Sequence, residues 1–164
     1  MSQFAVISGD IISSKSYAEL PRLLKGKLQG IKLSGLLTPF SASRGDEIQA
    51  VCNDLSQLPV ILRQLRYYLR PFQLRVGVGF GEIDDWYTAT NSWEMTGPAF
   101  HRARLALDQI AKSKETRTIL VSADETTDLA FNSLFLLVDT IMNGWTEEQW
   151  RAVQTYEVQK THQN

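Results

Sequence analysis

The stretch "QLRVGVGFGEI" sets Val76, Val78 and Phe80 against Gly77, Gly79 and Gly81 along one extended segment. Alternation with period two is a strand signature. Three glycines on one face weaken a strand, so something must approach its backbone closely there. Two neighbours meet that requirement: a helix laid across the glycines, or a flat ligand ring. The spacing is GxGxG, so the GxGxxG fingerprint of a dinucleotide loop is absent.

The rest of the chain alternates around this strand. "FAVISGDII" reads as a buried strand ended by Gly9-Asp10. "YAELPRLLKGKLQGIKLSGLL" carries Leu20, Leu23, Leu24, Leu28 and Ile31 near helical spacing, with Pro21 suited only to a first turn. "TPFSAS" and "IQAVC" form a hairpin about a turn at Gly45. Leu58, Ile61, Leu62, Leu65 and Leu69 define one face of a helix that Pro71 closes. "GPAFHRARLALDQIAKS" starts a third helix at Pro98, and "TRTILVS" is a last strand. The order βαββαβαβ predicts an α+β sandwich of the ferredoxin-like type over residues 1–123. Residues 124–164 form a C-terminal helical appendage.

Composition narrows the function classes. The 164 residues are 43% hydrophobic and 21% charged with net charge -1, so no basic field points to nucleic acid. The opening "MSQFAVISGD" lacks the basic region of a signal peptide, and no apolar run reaches the roughly 18 residues of a membrane span. A cytoplasmic location with no membrane partner is expected. The single Cys52 sits among apolar neighbours and is expected to be a buried thiol.

Asp10 ends the first strand, while Gly45, Asp46 and Glu47 occupy the hairpin tip. An acid directly after a buried strand needs a partner. Carboxylates brought together oppose each other's ionisation unless a cation intervenes. Mg²⁺ takes one or two carboxylates plus waters and phosphate oxygens, and Asp10 and Asp46 with the carbonyl of Ile11 would suit it. "IISSK" follows Asp10; if a helix starts there, the backbone of Ile12 and Ser13 could meet phosphate, Ser13 and Ser14 could cap the helix or donate to the phosphates, and Lys15 could add charge. The plainer reading makes Ser13 or Ser14 a cap and Lys15 a solvated side chain. Trp86, Tyr87 and Trp93 either stack a base or anchor a loop.

These residues resemble a known pattern. "RGDEI" is similar to the GGDEF signature of diguanylate cyclases, with Arg44 for the first glycine, and the order of motifs is similar to class III nucleotidyl cyclases. "ISGDIISSK", "RGDEIQ", "VGVGFGEI" and "GPAFHRARLAL" together resemble the SatD family of bacterial proteins over roughly residues 4 to 122. The resemblance implies a cyclase-type sandwich, two metal-ligating aspartates at Asp10 and Asp46, Mg²⁺ (or Mn²⁺), and a nucleoside triphosphate held by the backbone after Asp10. Cyclases carry an Asn and an Arg four residues apart on the helix; here His101 takes the Asn-like position and Arg104 lies three residues on. A regulatory nucleotide sensor and a weak nucleotidyl cyclase, with Asp10, Asp46 and Arg104 catalytic, both remain open. A homodimer is expected by the same resemblance.

"GWTEEQW" carries a capping box, Thr146 with Gln149, opening a helix that packs Trp145, Trp150 and Val153 inward. In SatD-like chains this segment resembles the first helix of a helix-turn-helix. A transcriptional regulator that contacts DNA is therefore the alternative, provided the native chain is longer; a plain packing helix is the simpler reading.

Overall fold

The computed structural model describes residues 3–43, 45–84, 86–113 and 115–161, with main chain only at 160 and 161. It is an α+β fold with a five-stranded mixed sheet and, among the described residues, five α-helices. The elements run β1 (Phe4–Ile11), α1 (Leu20–Gln29), β2 (Leu36–Ala42), β3 (Ile48–Cys52), α2 (Leu58–Leu69), β4 (Leu74–Gly81), α3 (Pro98–Ala111), β5 (Thr118–Val121), α4 (Glu125–Asn143) and α5 (Glu147–Thr161). Strands lie in the order β2-β3-β1-β4-β5. All neighbours are antiparallel except β4 and β5, which are parallel across the α3 connection.

Alternation along the central strands feeds two cores. Ile7, Ile11, Ile48, Val76 and Val78 pack beneath α1 and α2, where Leu24, Leu28, Ile61 and Leu65 are buried. Phe4, Val6 and Val51 face the other way, toward Ala99 and Ala103 of α3. Most of the periodic leucines meet expectation, but Leu23 does not: it is 43% exposed on the outer side of α1. Pro21 sits in the first turn of that helix.

The glycine face of β4 receives α3, which excludes a flat ring from the same space. A Cβ on Gly79 would lie 1.9 Å from the Ala99 carbonyl oxygen, and one on Gly77 2.5 Å from that of Ala103. Helix and strand backbones therefore touch directly, a separation that alanine does not permit. Because α3 leads from β4 to a parallel β5, it must run back along the sheet. Ala99 accordingly sits over the C-terminal end of β4 and Leu107 over its beginning.

The outer edge of the sheet, β5, is covered by a helix instead of a sixth strand. Asn132 of α4 accepts from Leu120 N–H at 2.7 Å and donates to its carbonyl at 2.9 Å. Asp128 accepts from Ser122 N–H, and Asp139 from Arg117 N–H and Thr118 Oγ1. Unpaired edge groups invite pairing with another chain, and these side chains satisfy them. Asp139 also faces Arg66 of α2 at 3.5 Å, and Arg66 bonds the carbonyls of Leu74 and Arg117.

The capping box at the start of α5 is present: Thr146 N–H donates to Gln149 Oε1, and Gln149 N–H to Thr146 Oγ1. This helix docks on α2 through Trp150 against Tyr67 and through the ion pairs Arg63–Glu157 and Arg70–Glu147. Trp145 stacks edge-on against Trp150.

Replacing Gly79 with alanine should lower stability by about 3 kcal/mol, because the methyl group has only α3 backbone to displace. Gly26→Ala is the opposite case. No atom lies within 4 Å of that site, and the helix-interior position should gain about 0.5–1 kcal/mol. Urea unfolding of both variants checks the pair.

Cys52 is fully buried, and burial pushes its thiol up to about 11. The folded chain thus keeps a proton that the unfolded chain releases near 9, so this contribution to stability is lost as pH climbs from about 9 to 11. A thiol reagent at pH 8 should label the protein only on unfolding.

Candidate functional site

The strand register decides which of the sequence candidates meet. In the β1–β3 ladder Ala5 faces Cys52, Ile7 faces Ala50, and Gly9 faces Ile48. The ladder ends at Gly9–Ile48, so Asp10 and Ile11 follow it on β1 and Asp46 and Glu47 precede it before β3, at the same end. The end of β1, the hairpin tip and the start of β4 therefore share one end of the sheet. Gly45 holds the tip in a left-handed conformation at φ 84°, as a tight turn there requires. Arg44 lies outside the described residues.

Pleat alternation then sorts the acids by face. Asp10 follows Val6 and Ser8 on the α3 side of β1, and Glu47 follows Val51 and Gln49 on the α3 side of β3. Asp46, in the turn, does not share that face by alternation. Among the described residues no hydrogen bond or ion pair engages it.

The partner that Asp10 needs is Arg75, one strand over in the register. Arg75 donates from Nε to one carboxylate oxygen at 2.7 Å and from Nη2 to the other at 3.1 Å. The two-point arrangement is the strong form of this contact. The pair is partly open, with side chains 31% and 23% exposed. Sequence reading missed Arg75, although its position two residues before Gly77 already puts it on the glycine face. Only the register reveals that it faces Asp10.

Arg104 reaches the hairpin from α3: its Nη1 donates to Glu47 at 3.1 Å, and its Nε lies 3.5 Å from Asp108. Both pairs are exposed, so each contributes little to stability and instead orients the side chains. His101 is exposed on the same helix, toward its N-terminal half; it is Arg104 that meets the acid at the tip.

Between Glu47 and Arg104 lies a cleft of about 70 Å³, lined also by Ser8, Gln49, Trp93 and Phe100. Gln49 donates to Ser8 Oγ, while its Oε1 is buried with no protein partner among the described residues. The cleft has room for a few waters, or for the edge of a small group, to meet that oxygen. Trp93 is tied down by its Nε1–H to Ser41 Oγ at 2.8 Å. Trp86 packs against Phe4 with centroids 5.5 Å apart and against Tyr87. These contacts make Trp86 and Trp93 loop anchors.

The segment after Asp10 departs from expectation. No helix begins at Ser13 or Ser14: α1 starts at Leu20, and residues 14–16 form one 3-10 turn. Ser13 precedes that turn with φ 57° and makes no side-chain cap. The N–H of Ile12 is taken by the Gln73 carbonyl at 2.8 Å, so it is not available to a phosphate. The N–H groups of Ser13, Ser14 and Lys15 make no hydrogen bond among the described residues. Lys15 is exposed on the turn.

The chemistry of the donor set can be tested for a divalent ion. Asp10, Asp46, Glu47 and the Ile11 carbonyl are hard oxygen donors, which fit Mg²⁺ or Mn²⁺. Among the described residues no group of three or more His, Cys, Asp or Glu converges, so an ion here would keep water or phosphate oxygens in its shell. Both Asp10 oxygens are engaged by Arg75, so guanidinium and metal would compete for them.

Among the described residues no helix is long and apolar enough to cross a membrane. No curated protein and no solved structure matches the chain. The motifs around Asp10, Gly45-Asp46, the glycine strand and α3 lie within a match to the SatD family that spans residues 4–164, and the chain belongs to that family.

Proposed function

We propose that the protein binds a nucleoside triphosphate or a related nucleotide together with Mg²⁺ (or Mn²⁺), at the end of the sheet where β1 meets the β2–β3 hairpin. The observation that carries this reading is the β1–β3 register, which brings Asp10, Ile11, Asp46 and Glu47 to one end. The strand order β2-β3-β1-β4, antiparallel throughout with α1 and α2 on one face, supports a ferredoxin-like sandwich of the cyclase type, to which β5 and α3 are added.

Asp10 and the Ile11 carbonyl would hold the ion, with Asp46 reaching it from the hairpin turn and not from the α3 side of the sheet; when bound, the ion would neutralise phosphate charge. The N–H groups of Ser13 and Ser14, with Lys15, supply donors for phosphate oxygens just beyond Asp10. Arg75 acts as the internal counter-ion of Asp10 until a cation takes its place. Arg104 and His101 supply further positive or hydrogen-bonding groups on the α3 side. This is a binding site first; a regulatory sensor and a weak cyclase share it.

A calorimetric titration of Mn²⁺ and each nucleoside triphosphate tests the reading. Binding is expected only with the metal, and Asp46→Asn or Asp10→Asn should weaken it at least about tenfold. Arg75→Gln should tighten Mn²⁺ binding severalfold, because it frees the Asp10 carboxylate. Heat from neither the native protein nor the Arg75→Gln variant would contradict the proposal.

A further inference from the structure

The polar side of α4 faces inward and its apolar side faces water. Asp128, Asn132 and Asp139 lie on one stripe and bond to β5, as described above. Away from that stripe Leu134, Leu137 and Ile141 are 59%, 61% and 56% exposed. Phe131 and Val138 flank them at 43% and 45%, and Leu55 and Val60, on the α2 side of the same groove, are each 37% exposed. A helix on the surface of a lone chain is expected to show the reverse pattern.

The exposed area is large enough to demand a cover. At roughly 200 Å² for a fully exposed large apolar side chain, these seven leave on the order of 700 Å² in water. The largest apolar patch of a typical monomer is about 300–600 Å². A stable interface buries about 800 Å² on each partner. This face, α4 together with the α2 side of the groove, thus comes close to one half of a standard interface.

We infer that this face is covered by the same face of a second copy of the chain, in a twofold dimer built on α4. The face carries both a projection and a hollow. It presents the projecting Leu137 beside a groove of about 570 Å³ between α2 and α4 lined by Leu58, Pro59, Leu62, Leu134 and Val138. An isologous contact lets each copy's projections enter the other's groove. A lipid surface fits less well: helices that lie on membranes carry Lys and Arg on their polar side, whereas α4 has neither and holds Glu125, Asp128 and Asp139.

The location has a consequence for the site. The α4 helix borders β5, at the opposite edge of the sheet from the β2–β3 hairpin. Asp10 lies two strands in from β5 and on the α3 side of the sheet, whereas the groove lies on the α2 side, so each copy keeps its own Asp10 end outside the contact. The dimer stands independently of what that end binds.

Sedimentation equilibrium across the micromolar range tests the inference. The native protein should sediment at twice its 18.6 kDa chain mass. The double variant Leu134→Lys/Leu137→Lys should sediment as a monomer that still unfolds cooperatively in urea, because these side chains face water. As a second variant, Leu129→Lys, on the flank of α4 away from the groove, should leave the dimer intact. A native protein that stays monomeric overturns the inference, as does a dimer that survives the double variant. A monomer that instead co-sediments with phosphatidylcholine–phosphatidylserine vesicles would assign the face to lipid and overturn it equally.

Discussion

The contact between the glycine face of β4 and the backbone of α3 is the constraint on which the remaining architecture rests. With Gly77 and Gly79 beneath it, α3 lies against the strand instead of riding on side chains. Its return path makes β5 parallel to β4, and β5 becomes an edge that needs covering. The polar stripe of α4 supplies the cover. The same path carries Arg104 over the sheet to the hairpin, where it meets Glu47. One pair of glycines thus fixes the strand order at one edge and the charge arrangement at one end.

That end of the sheet is an alternation of acids and arginines. Asp10 is clasped by Arg75, and Glu47 by Arg104. Such pairing explains how an acid can terminate a buried strand without an ion present. On the proposed reading these arginines hold the places that a cation would take: a bound ion would replace guanidinium at the carboxylates, and the displaced guanidinium would be free to meet phosphate.

Much of the fold was legible in the sequence because it is written in local periodicity. The order of strands and helices, the buried leucines of α2, the capping box at Thr146 and the buried Cys52 follow from spacing and neighbours alone. What stayed hidden depends on register or on tertiary choice. Arg75 became visible as the partner of Asp10 only when β1 and β4 were aligned. The glycine face allowed a helix or a ring, and only the path of α3 decides between them. Ser13 and Ser14 looked like caps because polar residues after a strand often start a helix, yet the chain spends five more residues before α1 begins. The α4 segment was expected only as part of a helical appendage: its apolar residues spread around the helix, and only the bonds of Asp128, Asn132 and Asp139 to the sheet edge show which side faces inward.

The most direct test of a divalent ion at the β1–hairpin end is paramagnetic broadening of backbone amide resonances by Mn²⁺. The account predicts that substoichiometric Mn²⁺ selectively broadens the amides of residues 10–14 and 45–48, at one end of the sheet. Broadening centred elsewhere, such as on the acids that open α4, or no selective broadening at all, would contradict it.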